Sequence, residues 1–206
     1  MSFFDDNKTL GTALIVIGAI QFILGIVALV GAVSGGIDGP TAVAAIGPII
    51  VAILYFAFGW KIRNSQITNK LDILAQYVKL AGLGVIINAV FSIWNTYDDA
   101  GGKIGTTLVS LAIAVIIGLI IIGISTRIND GKKDNLDRVI WIILLILFAL
   151  GAIFNFIGLI GQIIAVFGSF SLTYLANLVI TIANLIICIF MVCLLFNKDV
   201  KEGMNM

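Results

Sequence analysis

Six long apolar segments, separated by short polar turns, constrain this chain more than any other feature. They are residues 10–32, 41–60, 77–94, 104–125, 139–167 and 172–196. A helix needs about 20 residues to cross the hydrocarbon core of a bilayer. The segments are continuous rather than alternating, and lipid offers no partner to an unpaired backbone amide, so helices are predicted instead of strands. We therefore expect an all-α integral membrane protein with six transmembrane helices.

The composition excludes most other classes of protein. Hydrophobic residues make up 61% of the 206 residues and charged residues 11%, whereas a soluble domain is about half apolar and a quarter charged. A water-soluble enzyme, a disordered chain and a nucleic-acid-binding protein are therefore excluded. The chain has no histidine, and it lacks a catalytic triad, a phosphate-binding loop and a metal-ligand cluster. We expect no enzymatic activity, no catalytic residue, no cofactor and no metal.

Lysine and arginine are strongly segregated along the chain. The two chain ends and the turns after the second and fourth segments carry eleven basic residues, with Lys79 counted at that boundary, whereas the opposite loops carry only Lys103. The positive-inside rule then predicts that both termini are cytoplasmic and that the protein crosses the plasma (cytoplasmic) membrane several times. Trp60, Trp94 and Trp141 lie near segment ends, as expected for an aromatic belt at the membrane surface.

The six segments read as one helical hairpin repeated three times. Gln21, Asn88 and Asn155 are spaced 67 residues apart, and each lies near the middle of the first helix of its hairpin. Because every hairpin would start on the same side of the membrane, the repeats are tandem and parallel rather than inverted. The three units cover about residues 9–64, 73–129 and 138–198 of a single membrane domain, residues 1–206.

Four amide side chains near the membrane midplane are the main candidates for a functional site. They are Gln21, Asn88, Asn155 and Asn184. In one interpretation they line a path or binding site for a small polar solute or an ion. In the other they bond across helices and fix the packing, each contributing about 0.6 to 2 kcal/mol. The second leads, because amides commonly join membrane helices and no ionisable group accompanies these four.

The last segment carries further polar residues. Thr173, Asn177 and Thr181 share one helix face with Asn184. Since lipid would leave such a stripe without hydrogen-bond partners, we expect it to face the bundle interior or a second subunit. Lys79 lies at the cytoplasmic entrance of the third segment, where its stem can reach the headgroups. It is also a candidate contact for a lipid phosphate or another anion.

Small residues at regular spacing predict where helices pack closely. Gly11, Gly18 and Gly25 recur seven residues apart in the first segment, and Gly151 and Gly158 have the same spacing in the fifth. In lipid, no hydrophobic force drives helices together, so association depends on the close backbone approach that small residues permit. We expect these five glycines to lie at helix–helix contacts.

Two families resemble this chain in the number of their hairpins, but their functional residues are missing. Rotary-ATPase ring subunits need a carboxylate within a membrane helix, and all eleven acidic residues here lie outside the cores of the segments. Mitochondrial carriers carry a Pro-x-[Asp/Glu]-x-x-[Lys/Arg] signature, which is absent. Neither activity is therefore expected from this resemblance.

The expected function is that of a non-enzymatic membrane protein. The short loops and small-residue stripes favour a structural or accessory subunit of a membrane assembly or a homo-oligomer, with membrane lipids and other membrane subunits as partners. The alternative is a small transporter or channel for a small polar solute or ion, lined by the midplane amides.

Overall fold

A computed structural model describes residues 6–34, 39–168 and 171–206, and it contains helices without any strand in these ranges. The helices are α1 (Asn7–Ser34), α2 (Gly39–Arg63), α3 (Lys70–Phe91), α4 (Ile93–Asp99), α5 (Ile104–Ile128), α6 (Asn135–Gly168), α7 (Leu172–Leu195) and α8 (Lys198–Gly203). All but the short α4 and α8 are long and apolar enough to cross a membrane. The prediction of an all-helical chain with six such helices is confirmed.

Helices α1, α2, α3, α5 and α6 extend beyond the apolar segments that predicted them at one end or both. Helix α3 begins at Lys70 rather than near residue 77, because the Asn69 side chain accepts a hydrogen bond from the backbone N–H of Leu71 at 2.9 Å and caps the helix. Helix α6 has 34 residues, which corresponds to about 51 Å at 1.5 Å per residue. Since the hydrocarbon core is about 30 Å thick, α6 is longer than a perpendicular crossing requires.

The long helices pack in a fixed lateral order. The most extensive contacts join α1 with α2, α3 with α5, and α6 with α7, so each long helix pairs with the long helix next to it in the chain. Contacts of α2 with α3 and of α1 with α7 join these pairs. The resulting order is α5, α3, α2, α1, α7, α6. The helices at the two ends of this series, α5 and α6, make only a small contact.

The tightly packed core lies at one end of the bundle, next to the basic turns. Its members come from the start of α1, α3 and α6, from the end of α2, α5 and α7, and from α8 and the residue that follows it. The largest fully buried apolar side chains are Leu10, Leu14, Ile62, Ile73, Leu74, Phe190, Met191, Leu195, Val200 and Met204. Since buried apolar residues are sparse toward the other end, the helices are held together mainly from the basic side.

Trp141 is buried in this core, although its position near the end of an apolar segment predicted an exposed ring. Its side chain is only 5% exposed, whereas those of Trp60 and Trp94 are 51% and 54% exposed. The indole N–H donates to the carbonyl oxygen of Leu195 at 2.9 Å, and the ring meets the edge of Phe196 at 5.6 Å between centroids. Trp60 and Trp94 are exposed and their place in an aromatic belt stays a prediction, while Trp141 joins α6 to the end of α7.

Glycine allows the backbones of α1 and α2 to touch. A Cβ atom at Gly11 would lie 2.8 Å from the carbonyl oxygen of Gly59, and one at Gly18 would lie 2.7 Å from that of Ala52. Real Cβ atoms essentially never come so close to a backbone atom, so any larger residue would force the helices apart. The same type of contact occurs between α3 and α5, where a Cβ at Gly82 would lie 2.8 Å from a carbonyl oxygen of α5.

An ionic cluster joins the end of α5 to the start of α6. The Arg127 guanidinium binds the Asp130 carboxylate at 2.7 Å and also that of Asp134, and its Nε lies 3.4 Å from Oδ1 of the buried Asp137 without hydrogen-bond geometry. The hydrogen bond from Arg127 lowers the pKa of the Asp134 carboxyl below its ordinary value. This cluster accounts for part of the small contact between α5 and α6.

Candidate functional site

A cavity of about 580 Å³ lies between α1, α2 and α3. Gln21, Tyr55 and Asn88 supply its polar groups. Its walls are apolar or small and include Leu24, Pro48, Val51, Ala81, Gly84 and Val85. Such a volume is typical of sites for small molecules, which are concave and mostly apolar with a few polar groups.

Helix periodicity explains why these residues meet. Pro48, Val51 and Tyr55 are three and four residues apart on α2, so they share one face. Gly84 and Asn88 are four apart on α3 and also share a face. Gln21 lies 14 positions after the start of α1, about 21 Å along the axis at 1.5 Å per residue, and therefore near the middle of this 28-residue helix.

The amides of Gln21 and Asn88 make no side-chain hydrogen bond within the part of the chain that the structure describes. Asn88 turns its side-chain oxygen toward α2, where a Cβ at Gly47 would lie 3.1 Å from it. In water these groups would be solvated, but in a membrane an unpaired amide costs free energy. Both side chains therefore have donors and acceptors without a hydrogen-bond partner among the described residues.

Aromatic rings lie between the cavity and the core of the bundle. Tyr55, which lines the cavity, has its ring centroid 6.2 Å from that of Tyr77 on α3. The Tyr77 ring in turn lies 5.9 Å from that of Phe148 on α6. These three rings and the buried core beyond them separate the cavity from the basic end of the bundle.

Asn155 lies at a different contact from the cavity amides. Its Nδ2 donates to the carbonyl oxygen of Gly151 in its own helix at 2.7 Å and lies 3.9 Å from Sγ of Cys188 on α7. Asn184 is half-buried on α7, and its side chain makes no hydrogen bond to the residues described. The four midplane amides therefore do not share one lining, since the structure brings together Gln21 and Asn88 alone.

The polar stripe of the last span faces α6 at Thr181, within the residues that the structure describes. The Thr181 hydroxyl donates to the carbonyl oxygen of Asn177 at 2.8 Å, and its methyl group would lie 3.8 Å from a Cβ at Gly158. Asn177 is half-buried. The side chain of Thr173 lies outside the described part of the chain.

The glycines and Lys79 occupy different environments. Gly25, like Gly11 and Gly18, faces α2, since a Cβ there would lie 2.5 Å from the Ile49 side chain. Gly151 faces α7 more loosely, at 3.1 Å from the Cys188 sulfur. Lys79 is exposed on α3 and forms no ion pair with a described residue, so its role as a lipid or anion contact stays a prediction.

Sequence reasoning missed two residues that shape the cavity, Tyr55 and Gly84. The signal for Tyr55 was its position one and two helical turns from Val51 and Pro48. Gly84 differs from the packing glycines because a Cβ there would meet only the Val51 methyl groups, at the ordinary distances of 3.5 and 3.8 Å. No sequence signal separates a glycine that opens a cavity from one that closes a contact.

The polar groups that line the cavity are uncharged. Its described lining contains amide groups and a phenol but no acidic or basic side chain. In the described ranges no three cysteine or acidic residues lie close enough to hold a metal ion. Comparison of the chain with known family models, with curated proteins and with solved structures found no match.

Proposed function

We propose that this chain is a non-enzymatic, multi-pass membrane protein that binds a small, uncharged polar solute in the cavity between α1, α2 and α3 and carries it across the membrane. The observation that supports this proposal is the pairing of Gln21 with Asn88 in one cavity, where neither amide has a hydrogen-bond partner among the described residues. The proposal favours the transport interpretation of these two amides over their use as interhelical bonds.

The absence of hydrogen-bond partners supports this choice. An unpaired amide that faces lipid costs free energy, and the half-buried Gln21 and the exposed Asn88 both line this cavity without a partner among the described residues. A solute with both donor and acceptor groups would remove this cost, whereas an ion would find no opposite charge in the described lining. Asn155 differs, because its bonds to Gly151 and Cys188 give it a structural partner already.

The proposal includes the orientation and the repeat of the chain. We infer a plasma-membrane protein with both termini cytoplasmic, since eleven of the twelve basic residues would then lie on the inner side. The pairing of α1 with α2, α3 with α5 and α6 with α7 is consistent with three parallel hairpins. In this orientation the core next to the basic turns closes the cytoplasmic side.

Filling the cavity should stop transport without unfolding the protein. We expect Gly84→Leu to lower the flux of glycerol or urea into proteoliposomes about tenfold or more, equivalent to at least 1.4 kcal/mol in the barrier. The added side chain would extend from a position with no clash at its Cβ atom and occupy the space between Gln21 and Asn88. Stopped-flow light scattering after an osmotic step measures the flux.

Gly123→Leu is the matched control for this experiment. It makes the same change within α5, where no described atom lies within 4 Å of the new Cβ, and it should leave the flux unchanged. Equal flux in wild type and Gly84→Leu would contradict the proposal. Flux no faster than through empty liposomes for glycerol and for urea would contradict it for these two solutes.

A second candidate function is that of a structural or accessory subunit, and the exposure of α5 and α6 favours it. In the most apolar 18-residue stretch of each helix, only 11% of the residues of α5 and 17% of those of α6 are buried, against 33% in α3. Apolar side chains point outward along the second half of α6, among them Phe154, Ile157 and Ile164. These surfaces would suit other membrane helices as well as lipid.

Native mass spectrometry after gentle extraction tests this second candidate. If α6 packs against other subunits, we expect a second copy or another membrane chain in the complex, and Phe154→Ala should reduce that fraction because it removes contact area. Ile113→Ala, on the exposed face of α5, shows whether the effect is specific to α6. A chain that stays monomeric with only lipid bound would exclude this function.

A further inference from the structure

A groove of about 420 Å³ runs along the seam between α1 and α7, on a different side of α1 from the cavity described above. Its deeper walls are apolar, with Ala13 and Val16 from α1 and Val179, Ile182 and Ile186 from α7. At the basic end of the bundle the lining becomes polar and ends at Asp6, Lys8, Thr9 and Thr12. The groove therefore changes from apolar to charged along its length.

The two charges at the end of the groove lack an ion-pair partner among the described residues. Neither Asp6 nor Lys8 forms an ion pair with a described residue, and their charged atoms are more than 4.0 Å apart. One carboxylate oxygen of Asp6 accepts the backbone N–H of Lys8 at 3.0 Å. The other oxygen of Asp6 and the Lys8 ammonium group have no hydrogen-bond partner among the described residues, whereas the Thr12 hydroxyl donates to the carbonyl oxygen of Lys8 at 2.8 Å.

The position of these residues matches the depth profile of a bilayer. Lys8 and Val16 are eight residues apart, about 12 Å along the helix axis at 1.5 Å per residue. One leaflet contributes about half of the 30 Å hydrocarbon core. The apolar lining below the charged end is thus long enough to hold most of one acyl chain within a single leaflet.

We propose that this groove binds one phospholipid with a zwitterionic, primary-amine headgroup of the phosphatidylethanolamine type. The phosphate lies at the Lys8 ammonium, and the headgroup amine donates to the free carboxylate oxygen of Asp6. One acyl chain lies against Val16, Val179 and Ile182. The charge pattern selects this headgroup, because an anionic lipid would meet the Asp6 carboxylate without an amine to offset it.

The test measures lipid retention by native mass spectrometry of the full chain in mild detergent. Phosphatidylethanolamine, phosphatidylcholine and phosphatidylglycerol of identical acyl composition are added in equal amounts. We expect phosphatidylethanolamine to be retained most. Lys8→Gln should lower its occupancy constant about fivefold, which corresponds to roughly 1 kcal/mol at 1.4 kcal/mol per tenfold. Asp6→Asn should instead shift the preference toward phosphatidylglycerol.

Two variants control for the loss of a charge elsewhere. Lys133→Gln and Asp98→Asn change exposed residues outside the groove, and both should retain phosphatidylethanolamine like the wild type. Size-exclusion profiles check that all four variants are folded. Equal retention in Lys8→Gln and Lys133→Gln would overturn the site, and so would the absence of any retained lipid. Wild-type retention of phosphatidylglycerol or phosphatidylcholine equal to that of phosphatidylethanolamine would overturn the selectivity.

Discussion

Trp141→Ala is expected to lower the free energy of unfolding by about 3 to 5 kcal/mol, the range measured for aromatic residues truncated to alanine in a packed core. Trp141 is 5% exposed, and its indole N–H donates to the carbonyl oxygen of Leu195 at 2.9 Å. The substitution leaves a cavity between α6 and α7 and removes the partner of that carbonyl. An SDS titration in mixed micelles, followed by circular dichroism, measures the effect.

Trp94→Ala provides the matched comparison, since this side chain is 54% exposed and surface substitutions usually change stability by less than about 0.5 kcal/mol. Trp141→Phe separates the two causes. It keeps most of the apolar volume and should cost less than the alanine variant, because it loses mainly the hydrogen bond to Leu195. Similar losses for Trp94→Ala and Trp141→Ala would show that burial of Trp141 does not stabilise the bundle.

Gly18→Leu is expected to separate α1 from α2 and to cost more than about 3 kcal/mol. Overpacking a core costs typically 1 to 3 kcal/mol when side chains can adjust. Here the new Cβ would lie 2.7 Å from the carbonyl oxygen of Ala52 and from the backbone nitrogen of Phe56. These atoms belong to the α2 backbone, so the helix itself must move. We expect a lower yield of monodisperse protein and a lower midpoint of thermal unfolding.

Gly31→Leu makes the same change on the same helix at a position where no described atom lies within 4 Å of the new Cβ. It should preserve the wild-type midpoint, or raise it slightly, because leucine has the higher helix propensity. Loss of stability in both variants would indicate a general effect of leucine in α1. Wild-type stability of Gly18→Leu would contradict the close approach of the two helices.

The sequence predicted the helix contact at Gly18 but not the burial of Trp141. The heptad of Gly11, Gly18 and Gly25 predicted a helix contact on α1, because small residues at regular spacing favour close approach in lipid. It did not identify Gly59 and Ala52 as the facing positions on α2. Trp141 was expected at the membrane surface because it lies near the end of an apolar segment, a position that it shares with Trp60 and Trp94.

For the amide side chains, too, the sequence predicted the position along each helix but not the neighbouring residues. Their position near the midplane follows from counting residues within each apolar segment. Gln21 and Asn88 line one cavity, however, while Asn155 bonds to Gly151 and to Cys188 on α7. Which amides meet depends on the rotation and lateral order of the helices, and a spacing of 67 residues carries no information about either.

The sequence by itself determined six apolar helices and their approximate bounds, because a backbone in lipid must satisfy its own hydrogen bonds and does so in continuous helical segments. Only the tertiary structure decided the order α5, α3, α2, α1, α7, α6, the core next to the basic turns, and the cavity between α1, α2 and α3. The physical reason is that residues facing lipid are as apolar as residues facing a neighbouring helix. Hydropathy therefore predicts which segments cross the membrane but not which helices pack together, since packing depends on shape and on a few polar contacts.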